Sequence, residues 1–174
     1  MSASRAPEVL YQGRVIRVER ETVTLDNGHT TTIEAVRHRG SVVILAQPSP
    51  DHIVVIRQYR PVIQRWIWEL PAGSLDAGEA PDSAVVRECE EEIGLTPRQI
   101  VRLASWYPTP GFCDEMMHFY LCEELFAPAG PVAQDEDEQI EPAIVSLADL
   151  RTMIGDGRVM DMKTVVALSL LRRD

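Results

Sequence analysis

The chain has 174 residues, 45% hydrophobic and 25% charged, enough to bury the core of one domain and too apolar for a disordered segment. Its 17 basic and 27 acidic residues give a formal charge of −10, which disfavours non-specific binding to nucleic acid or an anionic membrane. No stretch is apolar and long enough to span a bilayer, and the first ten residues lack the apolar centre of a signal peptide. Three cysteines, Cys89, Cys113 and Cys122, show no CxxC spacing and point to free thiols in a reducing, cytoplasmic setting. The histidines are scattered without ligand spacing, which argues against zinc.

Taken in order, residues 1–7 read as a frayed terminus and Leu10 to Leu25 as a strand. Asp26-Asn27-Gly28 is a hairpin turn, after which His29 to Val36 returns as a threonine-rich strand. Residues 1–38 thus form a small antiparallel β-section, too small to stand alone, that leans on the main domain of residues 39–174 or on a second subunit. Ser41 to Ala46 (SVVILA) is apolar throughout, as in a strand buried on both faces. Strands follow at His52 to Gln58 and Trp66 to Leu70, then Pro71-Ala72-Gly73 as a lead-in. Beyond a helix at Pro81 to Ile93, strands fall at Ile100 to Tyr107, Met116 to Cys122 and Ile140 to Val145. Helical spacing returns at Leu147 to Ile154 and Met160 to Leu171. The order predicts an α/β protein, an α/β/α sandwich with a mixed sheet.

The helix at Pro81 to Ile93 carries the chemistry. Pro81 suits the first turn, Asp82 the positive end of the dipole, and Gly94 the left-handed position past the end. At about 100° per residue, Glu88, Glu91 and Glu92 share one stripe, while Val85, Val86, Cys89 and Ile93 share a core-facing one. Three carboxylates on one face repel unless a positive group sits among them, and a hard divalent cation held by oxygen fits. Arg87, one turn before Glu91, is placed to pair with it and with Glu79 and to fix carboxylate rotamers.

Gly73, Glu79, Arg87, Glu88, Glu91, Glu92, Gly94 and Leu95 stand in a pattern that resembles the Nudix box. That box runs glycine, five residues, glutamate, seven residues, then Arg-Glu-aliphatic-any-Glu-Glu-any-Gly-aliphatic. Cys89 is the one departure, and a buried cysteine serves as a small hydrophobe. The resemblance implies a Nudix fold and Mg²⁺- or Mn²⁺-dependent hydrolysis of a nucleoside diphosphate linked to another moiety. It implies Glu88 and Glu92 as metal ligands, Glu91 as a ligand or water-orienting group, and the Ala72 carbonyl as a further ligand.

Pro110, fifteen positions beyond Leu95, is similar in placement to the proline that marks the ADP-ribose pyrophosphatase subgroup. The RQYR segment at 57–60, the WELPAG segment at 68–73 and the β-rich front match that subgroup too. It implies cleavage of ADP-ribose to AMP and ribose 5-phosphate by a homodimer that exchanges the front section. Another nucleotide sugar such as GDP-mannose is the alternative substrate, and a non-catalytic ADP-ribose sensor a third reading. Arg57 and Arg60 are candidate phosphate contacts, and Glu69 a candidate partner for an adenine amine or an arginine. The acidic loop Gln134 to Glu138 resembles one that delivers a catalytic glutamate, with Glu136 and Glu138 both candidates.

Overall fold

In a computed structural model, which describes residues 6–132 and 139–171, the centre is the strand β4 (Ser41–Ala46), all six of whose residues are buried. Its side chains alternate between two cores, as a period of two requires. Val42, Ile44 and Ala46 meet Ala84, Val85, Cys89 and Ile93 of α1 (Pro81–Ile93). Val43 and Leu45 meet Leu150 and Met153 of α2 (Leu147–Gly155) and Ala167 of α3 (Met162–Leu168). Helices therefore cover both sides of the strands, and the α/β/α architecture expected from the sequence is present.

Three sheets carry the strands. The front sheet orders β1 (Glu8–Gln12), β2 (Ile16–Thr24) and β3 (Thr30–His38) as an antiparallel meander. The single strand expected over Leu10 to Leu25 is broken near Gly13 and Arg14, where the chain turns back and Gly13 N–H donates to the Ile16 carbonyl. Gly28 takes φ 83°, so the Asn-Gly turn forms where the residues call for it. The second sheet is β10 (Ile140–Ser146), β5 (His52–Arg60) and β6 (Arg65–Glu69). The third orders β7 (Ala72–Ser74), β4, β9 (Met117–Phe126) and β8 (Thr96–Trp106), and it is mixed because β4 and β9 run parallel.

The front sheet is tied to the rest through the loop after β8. Val36 N–H donates to the Phe112 carbonyl at 2.7 Å and Asp114 N–H to the Val36 carbonyl at 3.1 Å. Arg37 adds an ion pair to Asp114, and within the front sheet it pairs with Glu19 and Glu21. On the opposite side, Asp82 in the first turn of α1 accepts from Tyr120 Oη at 2.5 Å and Arg102 Nη2 at 2.7 Å, which anchors the helix start to β8 and β9. Gly94 closes α1 at φ 66°, its N–H on the Glu90 carbonyl and that of Leu95 on the Cys89 carbonyl. Cys89 is fully buried, and a hydrogen bond with Cys122 together with burial pushes its thiol well above the ordinary range, so it stays a neutral filler of its aliphatic slot. No helix among the described residues is long and apolar enough to cross a membrane.

Because β4 is packed from both sides, Ile44→Ala is expected to cost about 2–5 kcal/mol of stability in guanidinium unfolding. Val62→Ala, at an exposed turn (97% exposed), should fall within about 0.5 kcal/mol of the wild type.

Candidate active site

Along α1 the acidic stripe is turned inward. Glu88 and Glu92 are 7% and 2% exposed, and Glu91 is half-buried at the edge. Buried carboxylates need partners, and the neighbouring chain supplies them. Arg87 reaches Glu79 with two parallel bonds of 2.9 Å, from Nε and Nη2. Its Nη1 donates to Glu88 Oε1 at 2.7 Å and Glu91 Oε2 at 2.9 Å, and its Nη2 also meets the Ser74 carbonyl at 3.1 Å. One guanidinium, a planar fork of five donors, thus serves three carboxylates and a main-chain carbonyl.

The strand β7 forms the other half of the site. Ala72 N–H donates to Glu92 Oε2 at 2.8 Å. At Gly73 the Glu88 carboxylate fills the space a side chain would take: a Cβ there would stand 1.8 Å from Glu88 Oε1. Glycine is required by close approach, not by its φ. Glu79 is held from its own loop as well, by Asp76 N–H at 2.9 Å. The Arg87 bonds hold the Glu79 carboxyl below the usual carboxylate range, against some opposing burial. Hydrogen bonding to Glu79 raises Arg87 above its ordinary value, with further help from Glu88 and Glu91, so the guanidinium keeps its charge.

Arg87, Glu88, Glu91 and Gly73 line a cleft of about 270 Å³ together with Arg14, Val15, His38 and Arg39. Sequence reasoning missed Arg14 and Arg39. Neither sits in a motif, and only the tertiary fold brings them to the same cleft as the carboxylates. The other candidates lie elsewhere among the described residues. Arg57 pairs with Glu141 at 3.1 Å and lies 4.8 Å above the Trp66 ring. Arg60 grips Glu69 with two bonds of 2.8 Å, and Lys163 pairs with the same carboxylate. In the structure Glu69 is thus paired with an arginine. Pro110 lines a separate cavity of about 310 Å³ with Tyr107, Phe112 and Ile33. Glu136 and Glu138 lie outside the described residues.

Among the described residues no three His, Cys, Asp or Glu side chains already form a metal cage. The buried carboxylates of Glu88 and Glu92, against a glycine backbone, nonetheless suit a hard cation that completes its shell with main-chain oxygen, water and substrate oxygens.

The NUDIX domain profile matches residues 36–162. The chain is 37% identical to the ADP-ribose pyrophosphatase of Bacillus subtilis (strain 168) over 96% of its length and 90% of that protein's. It is 36% identical to the methanol dehydrogenase activator of Bacillus methanolicus, over 95% and 89%. Among solved structures, a crystal structure of an ADP compounds hydrolase superposes with a TM-score of 0.79, covering 99% of this chain and 95% of the other, at 23% identity, a likeness of fold.

Lowering of Glu79 sets the sign of a pH effect. In the folded chain the carboxylate is favoured, so the unfolded chain takes up its proton first as pH falls. This stabilising contribution is complete above the unfolded carboxylate pKa and is lost as pH drops through the folded value. Arg87→Gln should therefore lower stability at neutral pH and flatten its decline as pH falls through and below the ordinary carboxylate range. Denaturant unfolding at stepped pH reads this, and a slope equal to the wild type would refute the coupling.

Proposed function

Because the chain belongs to the Nudix family and is a Nudix hydrolase, we propose that it hydrolyses the diphosphate of ADP-ribose to AMP and ribose 5-phosphate with a divalent metal, Mg²⁺ or Mn²⁺. The observation that carries the reading is the packing of Glu88 on Gly73 and the bond of Glu92 to Ala72 N–H, beside a cleft that Glu88 and Glu91 share with Arg14 and Arg39. Glu88 and Glu92, with the Ala72 carbonyl, are the residues that would hold the metal. Once bound, the ion neutralises diphosphate oxygens and stabilises charge that develops in the displacement.

The chain's own groups do the rest. Arg87 fixes the orientation of Glu88 and Glu91 through its named bonds, so both present their oxygens to the cleft with little rotamer freedom left to lose. Glu91, at the edge, would orient the attacking water. Glu136 or Glu138, delivered by the acidic loop, would accept its proton. Arg14 and Arg39 would supply positive charge for the diphosphate, while Arg57 and Arg60, on β5 outside this cleft, would exchange Glu141 and Glu69 for a phosphate. Pro110 would help to shape the pocket for the nucleoside. The free thiols Cys89, Cys113 and Cys122 fit a reducing compartment such as the cytoplasm.

The assay is direct. Incubated with Mg²⁺, the protein should convert ADP-ribose to AMP and ribose 5-phosphate with a higher kcat/KM than it shows on GDP-mannose. Glu92→Gln should reduce kcat on the order of a hundredfold or more, the scale of removing one preorganised charge-stabilising group, with circular dichroism unchanged. Absence of AMP, or a fully active Glu92→Gln, would sink the reading.

The active form is proposed to be a homodimer joined through residues 1–38. All five residues of β1 are exposed, Val9, Leu10 and Tyr11 among them, and Ile16 on β2 is exposed too. A three-stranded sheet that exposes this much apolar surface gains by covering it with a second copy. Light scattering at micromolar concentration should give twice the chain mass, and Leu10→Glu should shift it to one.

A further inference from the structure

Six consecutive residues, 69–74, run along the carboxylate site, and a polar group or close contact fixes each of them. Glu69 is held by Arg60 and Lys163, the Pro71 carbonyl accepts from Ile44 N–H at 2.9 Å, and Ala72 N–H donates to Glu92. Gly73 is packed on Glu88, and the Ser74 carbonyl takes Arg87. The remaining bond comes from the far end of the chain: Leu70 N–H donates to Thr164 Oγ1 at 2.8 Å, across 94 positions of sequence.

Thr164 is fully buried in the first turn of α3, and its hydroxyl cannot rotate at will. It donates to Asp161 Oδ2 at 2.6 Å, which turns its lone pairs toward the Leu70 amide. Asp161 is itself steered: its Oδ2 caps α3 by accepting from Thr164 N–H at 2.9 Å, and its Oδ1 lies 3.1 Å from Lys163 Nζ. Lys163 carries the chain of charge on to Glu69. No residue of α3 lines the cleft. Its first turn nonetheless holds Leu70, in the link between β6 and β7, two residues before the strand that the cleft is built on.

We propose that Thr164 is a positioning residue for the carboxylate site, its hydroxyl fixing the Leu70 amide and thereby the stand of Ala72 and Gly73 against Glu92 and Glu88. The consequence for turnover rests on the metal-dependent hydrolysis proposed above. The positional claim does not. Valine at this place keeps the shape of threonine but leaves the Leu70 N–H buried without its acceptor, so the strand must shift or admit water. Partners that orient metal-binding groups in this indirect way typically matter about 10- to 100-fold in metal affinity or activity.

The test uses the full chain as Thr164→Val and Thr164→Ser. In metal-free protein, amide hydrogen exchange by NMR should be about tenfold or more faster at Leu70 and Ala72 in Thr164→Val, with the α2 amides unchanged. Mn²⁺ affinity, read by electron paramagnetic resonance, should fall about tenfold, and kcat on ADP-ribose should fall with KM little changed. Thr164→Ser, which retains the hydroxyl, should stay within about threefold of the wild type in each reading. Wild-type exchange at Ala72 together with wild-type Mn²⁺ affinity in folded Thr164→Val overturns the proposal. So does a Thr164→Ser protein as impaired as Thr164→Val, since the methyl group would then be the cause. Should Thr164→Val fail to fold, Asp161→Asn, which weakens the steering of the same hydroxyl, is held to the same two readings with the same meaning. If the wild type cleaves no nucleotide sugar, the hydrolase reading fails, while exchange and Mn²⁺ affinity still decide the role of Thr164.

Discussion

Arg87 sits where four demands meet. Without a cation, Glu88, Glu91 and Glu92 on one face of α1 and Glu79 from the preceding loop would repel each other, and two of the four are almost wholly buried. An exposed ion pair is a weak stabiliser, but leaving a buried carboxylate without a partner is costly. The guanidinium therefore matters more as a constraint than as a sum of pair energies. It decides that the stripe can exist on a packed helix, and it points that stripe at β7, through the Ser74 carbonyl, instead of at solvent. A lysine has no planar fork and could not serve Glu79, Glu88 and Glu91 at once.

The partner of that constraint is a short strand with almost no side chains of its own. Ala72 offers an N–H, Gly73 offers the absence of a Cβ, and Ser74 offers a carbonyl. Such a strand can approach a carboxylate helix closely, but it has little means of fixing itself. Its position is set from outside, by the pairing of Val42 and Val43 with Gly73 and Ala72, by the bond from Ile44 N–H to the Pro71 carbonyl, and by the first turn of α3. The core that holds β4 is thus also what holds the chemistry. Burial of Ile44 on one side and Leu45 on the other leaves β4 nowhere to move, and β7 inherits that rigidity.

What the sequence disclosed follows the range of the forces involved. The bounds of α1 were legible because Pro81, Asp82 and Gly94 act on their own backbone, and the double burial of β4 because SVVILA carries no polar face. The link from Arg87 to Glu91 was legible for the same reason, being one helical turn. The break near Gly13 was not, since the charged and apolar residues on either side continue the strand pattern without interruption. Nor was β7, whose three residues have no strand propensity and pair only because β4 is there. Arg14 and Arg39 on the cleft wall, and Lys163 and Thr164 behind the strand, are invisible to local patterning. Their neighbours are dozens of residues away in the chain, and no spacing rule connects them.

A protein with a net charge of −10 is a poor long-range attractor for a polyanion, and the site answers this by local arrangement. Much of the acid is already committed: Arg87 compensates Glu79, Glu88 and Glu91, Arg37 compensates Glu19, Glu21 and Asp114, and Arg60 with Lys163 compensates Glu69. The cleft itself is lined by Glu88 and Glu91 together with Arg14 and Arg39. Carboxylates and guanidinium groups lining one cleft give it both signs of charge, Arg87 already lying among the carboxylates it neutralises.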